Sequence, residues 1–147
     1  MKRFILVLLV AIITTGCATT QQYQQVVESP KFNQSPDLAP ANGNAKIYVL
    51  RKSAFRGSAI AIGIADTGRP IGKIASGSVL SWERSPGQVV VGASASNENN
   101  VAFTVASGDV VFIETKTNWG AGFNSAACEI RLLSNDEGRA LLKAVQK

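Results

Sequence analysis

The sequence predicts an all-β domain, a small antiparallel sandwich or barrel of seven or eight short strands closed by a short C-terminal helix. Three observations carry that expectation. From Ala45 onward the apolar residues recur with a period of two. Turn-forming residues interrupt the pattern at intervals of about 8–12 residues. No apolar stripe of helical length lies between the strands, so βαβ units are excluded.

The strands follow in order. Ala45–Arg51 sets Ile47 and Val49 on one face and Tyr48 and Leu50 on the other. Ser58–Ala65 aligns Ile60, Ile62 and Ile64 against Ala59, Ala61 and Gly63. Asp66-Thr67-Gly68-Arg69 turns the chain back into Pro70–Ala75, a hairpin. Val79–Arg84 comes next, and Ser85-Pro86-Gly87 leads into Gln88–Ser96, where Val89, Val91, Ala93 and Ala95 align. Asn97-Glu98-Asn99-Asn100 reads as a turn before Val101, Phe103 and Val105. Ser107-Gly108-Asp109 bends into Val110–Asn118, rich in β-branched and aromatic residues. Ser125–Leu133 turns Ala126, Cys128, Ile130 and Leu132 inward.

The helix starts at a capping box, Ser134-Asn135-Asp136-Glu137, in which the first and last side chains satisfy free amides reciprocally. Gly138, Leu141, Leu142 and Val145 then share one stripe, expected to cover a sheet edge or the open mouth of the sandwich.

The N-terminal residues obey different rules. Met1-Lys2-Arg3 is a basic head, and Phe4–Ile13 is a run of ten apolar residues. That is too short to span a bilayer, which takes about 18 or more, and has the layout of a secretory signal covering residues 1–16. Residues 17–44 read as a tether: Gln21, Gln22, Gln24 and Gln25 surround Tyr23, and Pro30, Pro36 and Pro40 follow. As a coil it would reach roughly 30 Å. A short element at Tyr23–Val27 packing on the domain is the alternative. Residues 45–147 form the folded domain.

Composition narrows the chemistry. The 147 residues contain no His, which removes His-based triads and imidazole bases, and two Cys, too few for a disulfide framework or a four-Cys zinc site. No motif asks for a cofactor. The formal charge is +5; losing Lys2 and Arg3 takes Lys+Arg from 15 to 13 against 10 acids, about +3. Neither a dense basic run nor an RNP-type aromatic motif is present, so nucleic acid is not expected as a partner.

Thr14-Thr15-Gly16-Cys17 after the apolar run resembles the lipobox of bacterial lipoproteins, with Thr14 where that family usually carries Leu. The resemblance implies cleavage before Cys17, acylation of its thiol and new amino group, and membrane lipid as the first partner. Ala18, where Asp would mark inner-membrane retention, implies the outer membrane, facing the periplasm of a Gram-negative cell. Ala45–Leu142 resembles a family of bacterial lipoproteins with a C-terminal domain of unknown function. Ala45-Lys46-Ile47-Tyr48-Val49-Leu50-Arg51, Gly72 to Gly77, Ser85-Pro86-Gly87-Gln88 and the strand after Gly108-Asp109 carry the likeness. That family implies an immunoglobulin-like or transthyretin-like sandwich and supplies no catalytic residues.

Trp119, Gly120, Gly122 and Phe123 form the candidate binding loop: two aromatics at a Gly-rich tip suit stacking on sugar or insertion into a partner. The alternative is that both aromatics cap the core. The same segment imitates a dinucleotide loop, but a strand pattern follows instead of the helix that fingerprint needs. Cys128 is expected as a buried thiol. Glu83, Asp109, Glu114 and Glu129 are the carboxylates a glycan hydrolase would need, and no spacing favours that use. Arg51, Lys52 and Arg56 read as a solvated basic rim. The expected function is therefore non-catalytic: a lipid-anchored envelope module that binds an envelope protein or peptidoglycan.

Overall fold

The computed structural model describes residues 38–41, 43–119 and 126–146. The leader, Cys17 and Tyr23–Val27 lie outside them. Eight strands and one helix follow in order: β1 (Ala45–Arg51), β2 (Ile62–Asp66), β3 (Arg69–Ile74), β4 (Ser78–Arg84), β5 (Gly87–Ser94), β6 (Glu98–Val105), β7 (Val110–Trp119), β8 (Ala126–Leu132) and α1 (Asn135–Val145). They build two four-stranded sheets, ordered β4-β1-β7-β8 and β3-β2-β5-β6, and the chain is an all-β sandwich. No helix among the described residues is long and apolar enough to cross a membrane.

One pairing departs from the antiparallel expectation. β1 runs parallel to β7, with Lys46 opposite Val110 and Val49 opposite Ile113. No crossover helix is needed, because the chain between these strands builds the whole second sheet before it returns.

The main core lies between the sheets. Ile47, Val49, Val111, Ile113 and Cys128 of the first sheet meet Ile62, Ile64, Val89, Val91, Phe103 and Val105 of the second. Alternation alone produces this layer, since every second side chain points inward. A second apolar layer lies on the outer face of the first sheet. Tyr48, Leu50, Val110 and Phe112 pack there against Leu133, Leu141 and Leu142, with Leu38 and Val145 at the margin. The helix therefore covers a sheet face and not an edge or the open mouth. The cause is local: β1 and β7 carry apolar residues at outward as well as inward positions, as strands buried on both faces do. The cap forms as expected. Ser134 Oγ accepts from the Glu137 N–H at 3.3 Å, and Glu137 Oε2 accepts from the Ser134 N–H at 3.0 Å.

Two strand boundaries shift from expectation by more than two residues. β2 begins at Ile62 and leaves Ile60 in the preceding loop, where its N–H bonds Gly57 O at 3.1 Å. β6 begins at Glu98, so the β5–β6 turn shrinks to Ala95–Asn97 and Glu98–Asn100 pair with β5. The outer face of that sheet is open to water, so a polar strand start costs little there.

Candidate functional site

Strand directions sort the loops onto two poles. The chain enters the sandwich at Ala45, and this proximal pole also holds the β2–β3, β4–β5 and β6–β7 turns. The distal pole gathers residues 52–61 between β1 and β2, the β3–β4 and β5–β6 turns, the end of β7 and the start of β8. Trp119 belongs to this pole: it ends β7 opposite Ala126. Its predicted companions Gly120, Gly122 and Phe123 lie outside the described residues, as does Cys17.

The distal loop 52–61 is built around Arg51. This residue follows Ile47 and Val49 on the inward face of β1, so its guanidinium enters the top of the core and is only 2% exposed. It is not part of a solvated basic rim, contrary to the reading from sequence. Nη1 donates to Ile60 O at 2.5 Å and Ile74 O at 3.1 Å, and Nη2 donates to Gly57 O at 2.8 Å. Three carbonyls from two chain segments are thus tied to the first sheet. Gly57 presents its carbonyl from a positive φ of 77°, a conformation that other residues enter at a cost. Burial lowers the Arg51 pKa from its ordinary value, and it stays a cation, since arginine titrates far above neutrality.

Above Arg51 the loop is pinned further. The Ala54 N–H donates to Ser76 Oγ at 3.0 Å, and Ser58 Oγ donates to Phe55 O at 3.1 Å. Phe55 stands at the tip with 99% of its surface exposed, the sole large apolar side chain so exposed among the described residues. Sequence reading passed over it. Its signal was an aromatic set among the small and basic residues Ser53, Ala54, Arg56 and Gly57, where no strand period calls for one.

Beside the loop, the outer face of β7 and β8 carries charge. Glu114, 7% exposed, receives Arg131 Nε at 2.9 Å and Nη2 at 2.7 Å, with Lys52 Nζ at 3.3 Å on its other oxygen. Glu129 pairs with Lys116 at 2.9 Å and accepts from the Asn118 amide. The recess among Glu114, Lys116, Glu129, Ile130 and Arg131 has a volume of about 40 Å³, room for water but not for the substrates that fill pockets of about 300 Å³ or more. Glu83 binds the Ala41 N–H and Lys46, and Asp109 Oδ2 accepts from the Ala106 N–H at 2.7 Å. Each carboxylate singled out from the sequence thus has a structural partner. Among the described residues no three Cys, Asp or Glu side chains stand together as metal ligands.

Cys128 is fully buried in the core, as expected, with Sγ 3.2 Å from Ala93 O; burial raises its pKa. Its strand, β8, is the edge of its sheet, and the β5–β6 turn closes part of that edge. Asn97 Oδ1 accepts from the Cys128 N–H at 2.6 Å, and Asn97 Nδ2 and Asn99 Nδ2 donate to Cys128 O at 3.1 and 2.6 Å. Ser96 Oγ donates to Ala126 O at 2.7 Å. Side chains here do the work of a neighbouring strand. At the proximal pole Asp66 joins the sheets in turn, accepting Arg84 Nη1 at 2.6 Å and Trp82 Nε1 at 2.9 Å.

No family model, curated protein or solved structure matches the chain. The described residues build an eight-stranded sandwich with a helix on one face and a braced loop displaying one aromatic.

Proposed function

We propose that the protein is a lipid-anchored, non-catalytic module of a bacterial cell envelope, held by acylated Cys17 and binding through the loops of its distal pole. The likeness of residues 1–17 to a lipoprotein leader and lipobox, and of Ala45–Leu142 to lipoproteins of unknown function, supports the anchor, and by the same likeness an outer-membrane site facing the periplasm. The observation that carries the binding reading is polarity: the tether arrives at Ala45, while Phe55 and Trp119 stand at the opposite pole.

The anchor is tested by mass. The exported protein should carry the added mass of lipid on a chain beginning at Cys17, and Cys17→Ser should release it from the membrane fraction. An unmodified thiol at Cys17, or unchanged membrane retention of the variant, overturns the reading. Pulldown from detergent-solubilised envelope, set against sedimentation with isolated peptidoglycan, separates a protein partner from cell-wall polymer. Activity on a glycan that disappears with Glu114→Gln or Glu129→Gln would replace binding by hydrolysis.

A further inference from the structure

Phe55 is exposed by construction. A guanidinium inside the core and two serine hydroxyls brace the backbone of the loop that carries it, with the ring held clear of the apolar core. Exposure of a whole phenyl ring gives up a burial worth about tenfold or more in an equilibrium. The surrounding charge is positive. Arg56 is exposed at the adjacent position, Lys52 is 66% exposed at the base of the loop, and Arg51 beneath is matched by the carbonyl dipoles of Gly57, Ile60 and Ile74. Lys52 alone of these faces an acid, Glu114.

We infer that this loop docks on an anionic bilayer surface, with the Phe55 ring at the headgroup–acyl boundary and Arg56 and Lys52 against lipid phosphates. A protein interface needs a broad dry centre fed by several anchors, whereas Phe55 is flanked by Ala54, Ser53 and Ser58 and offers one ring. One aromatic with Arg56 beside it and Lys52 at the loop base is instead what an interface of acyl chains and phosphates accommodates. The inference builds on the envelope reading, and covalent reach allows it. Cys17 and Leu38 are 21 residues apart, a contour of up to about 70 Å, against about 33 Å for the ten-residue β7. The distal pole can therefore meet the leaflet that holds the anchor.

The test leaves out the anchor, so its failure is distinct from failure at Cys17. Both apolar clusters are built within residues 38–146, so the chain from Ala18 onward keeps the fold. That chain should sediment with vesicles of phosphatidylcholine and phosphatidylglycerol in equal parts, and not with phosphatidylcholine alone. Phe55→Ala should weaken the partition about tenfold, and Arg56→Ser about fivefold, with the melting temperature unchanged. In Phe55→Trp the new indole should shift to the blue and be quenched by brominated acyl chains. Equal binding to both vesicles, wild-type partition of Phe55→Ala, or an unquenched Phe55→Trp overturns the inference. So does a chain that ignores vesicles while Phe55→Ala loses an envelope protein from pulldown, which gives the loop to a protein partner.

Discussion

Gly138 rests directly on the ring of Phe112: a Cβ added to the glycine would stand 2.2 Å from the ring's Cγ. This close approach lets α1 settle on the outer face of β7 with Leu141 and Leu142 buried beside it. In an exposed helix, Gly→Ala would gain about 1 kcal/mol of propensity. Here the methyl meets an aromatic ring held in a packed layer. Gly138→Ala should lower stability by about 1–3 kcal/mol, read as the urea midpoint, and Phe112→Leu in the same chain should recover part of the loss.

Arg51→Met should remove the donors of three carbonyls at once. The expected cost is about 2–4 kcal/mol, since buried acceptors without partners are expensive. Arg51→Lys should rescue little, because one ammonium cannot reproduce the spread of the guanidinium fork. Protease cleavage between residues 52 and 61 should rise in both variants before global unfolding does. Equal protection of that loop in wild type and Arg51→Met would remove the role assigned to the guanidinium.

Asn97→Ala should uncover the amide of Cys128 on the β8 edge and leave its carbonyl to Asn99 alone. An unpaired edge is a template for another chain. The variant should therefore self-associate in light scattering at concentrations where the wild type does not, while Asn97→Asp, which keeps only the acceptor, should fall between them.

Stability should depend on pH at both ends. Burial holds the Cys128 thiol above its ordinary pKa, so the folded chain keeps a proton that the unfolded chain releases near pH 8.5. The unfolded state then binds fewer protons, and stability should fall as pH rises beyond that value. Cys128→Ala should flatten this alkaline slope. Glu137 works in the opposite sense. Hydrogen bonds from the Ser134 backbone and side chain lower its pKa, so its contribution is present above the ordinary carboxylate value and lost as pH falls through the lower folded one. Glu137→Gln should flatten the acid slope of the urea midpoint.

Most of the sandwich was legible because alternation is a direct imprint of the pleat. Val89, Val91 and Ala93 point inward, Ser134 and Glu137 cap the helix, and Cys128 is buried where the strand period puts it. The misplacements have a common cause in long-range partners. Ile60 looks like a strand residue, yet its carbonyl is drawn to Arg51 and its amide to Gly57. Asn97–Asn100 look like a turn, yet Glu98, Asn99 and Asn100 pair with Ser94, Ala93 and Gly92. The docking of α1 was written in the outward residues Tyr48, Leu50, Val110 and Phe112, which make near-continuous apolar runs. Of the candidate site, the sequence pointed to Trp119, and the structure adds Phe55 at the same pole. Arg51 could not be sorted from Lys52 by composition, since what differs is position: Arg51 ends β1 on its inward face, and Lys52 follows the strand in the exposed loop.

The parallel union of β1 with β7 sets the order in which the molecule can assemble. Val110 lies 64 positions after its neighbour Lys46, so the first strand made waits for nearly the last. A ribosome-bound fragment ending before that strand would have neither apolar layer complete. Such high contact order slows folding and leaves the newborn chain open for longer.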